Sequence, residues 1–428
     1  MRSETNTIKA LFADEFARSS SIFFFSSAAA AFLNYLYHPI LGRLMDVADF
    51  GEAQAAISLF LQFGVLASVF SFFTISLASN AESGKSGEMS SVIAEFRKLA
   101  VLAIAALAVG LVFFHQAVKE FLNFSSIYPL LILMLLLLAN VLFSFRRAYL
   151  QGMRKIKSVS AADVIFSASR LFLAIAFVYA GWRSSGAVAG LLAGQLIALA
   201  YVFSKTKDVL VPENWSILPR WRHPAFRREF KFGLLVAVAV FCVTFFYASD
   251  IIFVRHYFPA EEAGLYGGIA TVARIIFFAT SPIVMVMLPM VRLKNVPEKN
   301  AALFRKAFAV VAVLGLAITL VLQIFPEFVI KLLIGGRYAV FAPILPRLGW
   351  MVFAASLANL FSAYFIALRK YTLIPISLAS VSLTAVLAFF FHSDPIQIIN
   401  DFICGLALVI FLSSIIYAQK DFYRHTGL

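Results

Sequence analysis

Apolar runs of about 18 residues or more recur along the whole length of this chain, and each can cross about 30 Å of hydrocarbon as a helix. No other feature restricts the fold as much. In the bilayer core a backbone must satisfy its own hydrogen bonds, so a spanning segment is a helix or part of a closed barrel. The runs are continuous rather than alternating, which excludes a barrel. Composition agrees: 62% of residues are hydrophobic, 14% are charged, and 47 are phenylalanine. A soluble domain of this size keeps more charged surface.

Twelve spans are expected, at 19–41, 50–79, 99–118, 127–145, 160–180 and 187–203, then 232–258, 265–291, 307–325, 348–368, 371–391 and 396–417. The first is too long in its apolar part for a signal peptide, and acidic Asp14 and Glu15 precede it. With the N-terminus in the cytoplasm, the cytoplasmic segments hold 27 Lys and Arg and the outer segments 7, counting Arg255 at the outer end of the seventh span. That asymmetry places both termini in the cytoplasm and makes the span count even. It also accounts for most of the +14 net charge through anionic lipid, without a nucleic-acid partner.

The longest connection, 204–231, carries Pro212, Pro219 and Pro224 with Arg220, Arg222, Arg227 and Arg228, and reads as a basic cytoplasmic linker. The expected organisation is therefore an N-terminal segment 1–18, a six-helix bundle 19–203, the linker 204–231, a second bundle 232–417 and a cytoplasmic tail 418–428. In the first segment, Ile8, Leu11, Phe12 and Phe16 share one face of an interfacial helix.

Two octets echo each other across this division. AYLQGMRK (148–155) closes the fourth span and AYFIALRK (363–370) closes the tenth, and both begin Ala-Tyr and end Arg-Lys. Asp49-Phe50-Gly51 opens the second span, and Ala263-Gly264-Leu265-Tyr266 opens the eighth at nearly the same separation. A duplicated six-span unit explains both echoes. Because six is even, the copies run parallel about an axis along the membrane normal.

The fold class expected is an all-α polytopic membrane protein of about 12 transmembrane helices, in two parallel six-helix bundles with a central cavity. LGRLMDVADFG (41–51) has a superficial likeness to the Gly-x-x-x-Asp-x-x-Gly loop of major facilitators. It follows the first span on the outer side, where that loop does not belong.

Four stretches, in order, resemble another family. RLMDVADFGEAQAAISL leads into the second span, RRAYLQGMRKIKSVS joins spans four and five, ASDIIFVRHYFPAEEAGLYGGIATV joins seven and eight, and PEFVIKLLIGGRYAVFAPIL lies between nine and ten. They are similar to the polysaccharide and oligosaccharide-lipid flippases, the O-antigen and exopolysaccharide kind, of the multidrug/oligosaccharidyl-lipid/polysaccharide exporter superfamily. The resemblance covers nearly the whole chain. It implies that the chain flips an undecaprenyl-pyrophosphate-linked oligosaccharide from the cytoplasmic to the outer leaflet of a bacterial inner membrane, by alternating access, for surface polysaccharide synthesis. The implied partners are that lipid-linked substrate, membrane lipids, and a polysaccharide polymerase or other export components.

A charge at mid-span is costly and should face a cavity or a partner. Arg274, near the middle of the eighth span, is the first candidate for the pyrophosphate; the plainer reading pairs it with Asp250 of the seventh. The resemblance favours the former, because spans one, two, seven and eight line the cavity of related proteins. Arg170 is the second candidate. Asp163 lies seven residues earlier on the same helical face, about 10 Å along the axis and too far for a tight pair. Asp250 is read as the one acidic residue deep in a span, with Asp163 near the cytoplasmic end. It is a candidate for ion coupling, for tuning the site's charge, or as counter-ion to Arg255 or Arg274. Asn34 and His38 share a face of the first span, and Ser58 and Gln62 share a face of the second. Asn34, His38 and Gln62 join the binding candidates, although such faces equally serve as interhelical contacts.

His38 and His115 lack carboxylate or cysteine neighbours at metal-ligand spacing, so neither metal nor cofactor is expected. Cys242 and Cys404 lie within spans and imply no disulfide. Gly186, Gly190 and Gly194 form a close-packing face on the sixth span. Pro282, Pro289 and Pro375 are expected to kink or end helices. Two other functions fit less well. A glycan polymerase or ligase needs reactive groups on a large outer loop, and the outer connections here are short. A drug/cation antiporter of the same superfold usually carries an acidic residue in its first span, and 19–41 has none.

Overall fold

A computed structural model describes residues 26, 29–81, 86–206, 224–291 and 295–425. The expected interfacial helix of the N-terminal segment, most of the linker and the last tail residues lie outside the described residues. The described chain is helical throughout. Helix α1 covers 29–44. It is followed by α2 (Val47–Ala81), α3 (Ser86–Phe113), α4 (His115–Phe121), α5 (Tyr128–Gly152), α6 (Ile156–Tyr179), α7 (Arg183–Lys205) and α8 (Pro224–Ala248). Then come α9 (Asp250–Tyr257), α10 (Ala260–Ala273), α11 (Ile275–Met290), α12 (Pro297–Ile324), α13 (Pro326–Leu333), a 3₁₀ segment (Gly336–Ile344), α14 (Leu345–Ala367), α15 (Leu373–Phe390) and α16 (Pro395–His425).

Seven of these helices are long and apolar enough to span a membrane, and three bent pairs raise the number to ten. Helices α1 and α2 occupy the places of the other two expected spans. At 1.5 Å per residue the 35 residues of α2 extend about 52 Å, well beyond the hydrocarbon. The bent pairs are α3–α4 at 73°, α8–α9 at 52° and α10–α11 at 40°. The last two bends fall at Ser249 and Arg274. Two of the three prolines lie at helix ends, Pro289 as the penultimate residue of α11 and Pro375 in the first turn of α15, whereas Pro282 lies in the interior of α11.

The chain forms two compact units. The first comprises residues 1–37, 66–115 and 128–233, and the second 38–65, 116–127 and 234–428. The division differs from the 19–203 and 232–417 halves read in the sequence, because 38–65 and 116–127 pack with the second unit.

In the first unit α6 and α7 pack closely. A Cβ on Gly190 would lie 2.4 Å from Ala174 Cα, and one on Gly194 would lie 2.6 Å from the Arg170 backbone nitrogen. Lipid tails are as apolar as leucine, so association here rests on backbone approach and van der Waals contact. The core between α5, α6 and α7 holds Leu150, Val159, Ala162, Ala198 and Val202. At its edge Arg147 makes a two-pronged bond to Asp163, with both contacts at 2.6 Å.

In the second unit α11, α12, α14 and α16 enclose Phe304, Phe361, Tyr364 and Phe365, with Tyr417 against them. Phe245 of α8 stacks on Phe402 of α16 at 5.4 Å.

The octets share a conformation as well as a composition. Arg154 and Arg369 both take left-handed backbone, with φ of 52° and 49°. In the first, Lys155 N–H bonds Leu150 O at 2.9 Å and Arg154 N–H bonds Gln151 O at 3.1 Å. In the second, Lys370 N–H bonds Phe365 O and Arg369 N–H bonds Ile366 O, each at 2.9 Å. Both are Schellman helix ends with arginine where glycine is usual. Tyr149 and Tyr364 are buried in both copies. The short helices α4 and α13, after the third and ninth spans, are a further matching pair.

Candidate functional site

In the second unit the bends of α8–α9 and α10–α11 bring a charged pair together. Asp250 is the first residue of α9, and Arg274 is the joint between α10 and α11. Arg274 Nη2 donates to Asp250 Oδ1 at 2.8 Å, and Tyr266 Oη donates to Asp250 Oδ2 at 3.0 Å. The Asp250 side chain is fully buried, and that of Arg274 is 6% exposed. The guanidinium also lies over the Tyr247 ring, 5.1 Å from its centroid. Arg255 is not the counter-ion of Asp250: its Nη2 lies 3.7 Å from Glu52.

Broken spans leave backbone groups free of helical partners, and in membrane transport proteins such breaks commonly form binding sites. Gln62 reaches this one. Its Nε2 donates to Ser249 Oγ at 2.7 Å, while its Oε1 has no partner. Ser58 Oγ and Gln54 Oε1, one and two turns along α2, are also buried without partners. His38 lies on this stripe, with Nδ1 3.0 Å from Gln54 Nε2. The second unit thus gathers Arg274, Asp250, Gln62 and His38 around one polar file, with Tyr247, Tyr266, Ser249 and Gln54 added by the structure. The α2 stripe at 54, 58 and 62 has the period that a helical reading can find. The tyrosines could be reached only through the fold.

The first unit brings together the other two candidates. Arg170 Nη2 donates to the Asn34 carbonyl at 2.9 Å, and its guanidinium lies 4.7 Å from the Tyr37 ring centroid. Tyr37 Oη bonds Ala187 O at 2.8 Å, which fixes the ring. Asn34 Oδ1 is buried without a partner. Asp163 pairs with Arg147 instead of Arg170, in keeping with the distance argument.

Sequence reasoning passed over Asp401. It lies in the second turn of α16 and is 3% exposed, with Oδ2 buried and unbonded. It therefore joins Asp250 as a buried acid of the second unit. Its place in a span and its charge were the available signals. Among the described residues no three His, Cys, Asp or Glu side chains converge to hold a metal ion.

Known structures share this fold. An inward-facing multidrug resistance MATE family transporter of the MOP superfamily is similar at a TM-score of 0.68 and 13% identity, covering 91% of this chain and 96% of its own. The lipid II flippase MurJ, in an inward closed conformation, also scores 0.68, at 16% identity over 93% and 87% of the two chains. A MATE transporter VcmN variant from Vibrio cholerae scores 0.62 at 13% identity, over 97% and 98%. At these identities the likeness concerns fold alone. No curated protein sequence matches the chain. The model of one family, described as polysaccharide biosynthesis protein, matches residues 40–343. That match takes in the polar stripe of α2, the bent spans α8–α9 and α10–α11, α13 and all but the last residue of the 3₁₀ segment after it, so the chain belongs to the polysaccharide biosynthesis protein family.

Proposed function

We propose that this protein is a flippase that carries an undecaprenyl-pyrophosphate-linked oligosaccharide from the cytoplasmic to the outer leaflet of a bacterial inner membrane. The observation that carries the proposal is the Arg274–Asp250 pair, buried where two spans of a polysaccharide biosynthesis protein break. An arginine forks onto phosphate oxygens as readily as onto a carboxylate. An arriving pyrophosphate can therefore take the guanidinium from Asp250, while the Tyr266 hydroxyl keeps the carboxylate hydrogen-bonded. Exchange of one anion for another avoids leaving a buried charge unpaired. Gln62 and His38, in the same unit, offer hydrogen bonds to the sugars; Arg170 and Asn34, in the first unit, are binding candidates by the same chemistry.

Both termini face the cytoplasm in this reading, as the 27-to-7 distribution of Lys and Arg requires. The product is a glycan-lipid on the outer face, the substrate that a polymerase there consumes. In this reading the protein itself performs no bond chemistry. A drug/cation antiporter is the rival, and α1 has no acidic residue for its cation.

The test is a strain that makes the lipid-linked oligosaccharide and lacks this protein. The glycan should accumulate on the inner leaflet, and restoring the protein should move it outward. Accumulation on the outer leaflet regardless of the protein refutes the proposal.

A further inference from the structure

The second unit holds two crossed arginine contacts related by the internal repeat. Arg43 follows the first span, and Arg255, 212 positions later, ends the seventh. Arg43 Nε donates to Leu333 O and its Nη2 to Lys331 O, both at 3.2 Å, with a further bond to Leu332 O. It thus caps the C-terminus of α13, in the second half of the chain. Arg255 Nε donates to Leu122 O at 2.9 Å and its Nη2 to Asn123 O at 2.7 Å, just past the end of α4 in the first half. Leu122 and Leu333 are 211 positions apart. Each half therefore grips the short helix of the other.

The grip is returned in both copies. Arg337, after α13, donates to the Arg43 carbonyl. Asn123, after α4, donates to the Arg255 carbonyl at 3.2 Å. Helix C-termini carry partial negative charge on unpaired carbonyls, so guanidinium caps are favourable at both ends. The two contacts differ in exposure. Arg255 is 2% exposed and Glu52 is 1% exposed, and Glu52 also accepts the Ser125 N–H at 2.8 Å. Arg43 is exposed. One clasp is dry and ion-paired; the other is wet.

We propose that these clasps are the outer gate of the protein, and that Arg43 is its readily opened arm. The proposal rests on the membrane orientation given above, which puts 42–49, 119–126, 259–264 and 326–347 outside and Arg255 at the outer end of the seventh span. Opening the polar file of α2 to that side requires the ends of α1 and α4 to part from α9 and α13. Because the arms cross, that movement breaks both clasps together, which makes the gate two-state. Nothing in the Arg274–Asp250 site performs this task, and neither Arg43 nor Arg255 needs to touch cargo.

The test reads the gate without cargo. Ser58 is buried six residues beyond Glu52 on α2, about 9 Å deeper. A Ser58→Cys reporter, in a chain also carrying Cys242→Ala and Cys404→Ala, is exposed to a membrane-impermeant maleimide in right-side-out and in inside-out vesicles. Adding Arg43→Gln should raise labelling from the outer side about tenfold, the scale of one charge-assisted hydrogen bond, and Arg43→Lys should raise it less. If Arg43→Gln does not reach the membrane, Arg337→Gln, which loosens the same clasp from the other partner, should raise it as well. Unchanged outer labelling in every one of these variants that reaches the membrane overturns the proposal, as does a rise confined to inside-out vesicles. Labelling that responds while glycan movement is independent of the protein leaves the gate standing and removes the cargo.

Discussion

Arg274 and Asp250 are joined at 2.8 Å across the bends of two adjacent spans, and 24 residues of chain separate them. The bends make the pairing possible. A straight α10–α11 helix would not end at Arg274, and a straight α8–α9 helix would not begin a new turn at Asp250. An ion pair this dry gives little net stability, because desolvation offsets most of the attraction. Its cost is consistent with a retained function.

Arg274→Ala should abolish glycan export, and Arg274→Lys should retain part of it, since a point charge still attracts phosphate but lacks the planar fork. The alanine variant alone leaves Asp250 buried and uncompensated, which costs about 3–5 kcal/mol and lowers abundance. The double variant Arg274→Ala/Asp250→Asn removes that penalty. It should reach the membrane at normal abundance and still fail to export, measured as surface glycan per membrane protein. Export by the double variant at the parental rate would make the pair a purely structural contact.

Gly51 and Gly264 are repeat partners that touch. A Cβ on Gly51 would lie 2.5 Å from Gly264 Cα, and one on Gly264 would lie 2.1 Å from the Val47 carbonyl oxygen. No flexible side chain stands in between to yield. Gly51→Ala and Gly264→Ala should each force the helices apart and reduce folded protein severalfold. Gly110→Ala, in α3 with nothing within 4 Å, should instead be neutral or gain up to about 1 kcal/mol from helix propensity. Membrane abundance and thermal unfolding in detergent distinguish the three. Equal behaviour of Gly51→Ala and Gly110→Ala would mean that the close contact is not needed.

The legible parts of this fold were those written in period, charge and echo. Span positions follow from apolar length, and the octets reveal the duplication because their ends specify the same helix stop at Arg154 and Arg369. The polar face with Ser58 and Gln62 was visible at a spacing of four. The two compact units were not, because 38–65 and 116–127 are held in the second unit by contacts such as those of Arg43 and Arg255, whose acceptors are backbone carbonyls. A carbonyl has no letter in a sequence. The bends at Ser249 and Arg274 carry neither proline nor glycine, so local chemistry did not announce them. Asp401 was legible and was missed.

Gly190 and Gly194 let α7 approach the α6 backbone at Ala174 and Arg170. Gly190→Leu has no space to occupy and should cost several kcal/mol, at the upper end of overpacking effects of about 1–3 kcal/mol or beyond them. Because Arg170 lies on the same face, Gly194→Leu should also move the guanidinium from the Asn34 carbonyl. Crosslinking between cysteines placed on the facing turns of α6 and α7 should fall in both variants. Undiminished crosslinking at normal abundance would show that the helices tolerate separation.

The remaining expectation concerns the driving force. Under the proposed function, the cargo headgroup is an anion leaving a cell that is negative inside. Each charge crossing about 100 mV gains roughly 2.3 kcal/mol, so two uncompensated charges gain about 4–5 kcal/mol, or roughly a thousandfold bias outward. Arg274 returns paired with Asp250, so the pair carries no net charge on the empty return. The potential therefore drives the loaded step and does not oppose the return. In that case Asp250 tunes the charge of the site: bonded to Arg274 and Tyr266, it keeps the guanidinium neutralised until cargo arrives. Vesicles with an imposed potential and no Na⁺ or pH gradient should flip the lipid-linked glycan, and Asp250→Asn should slow this without eliminating it. If flipping requires an opposing H⁺ or Na⁺ gradient, and Asp250→Asn removes that requirement or stops transport, Asp250 is the coupling site and the potential-driven account is wrong.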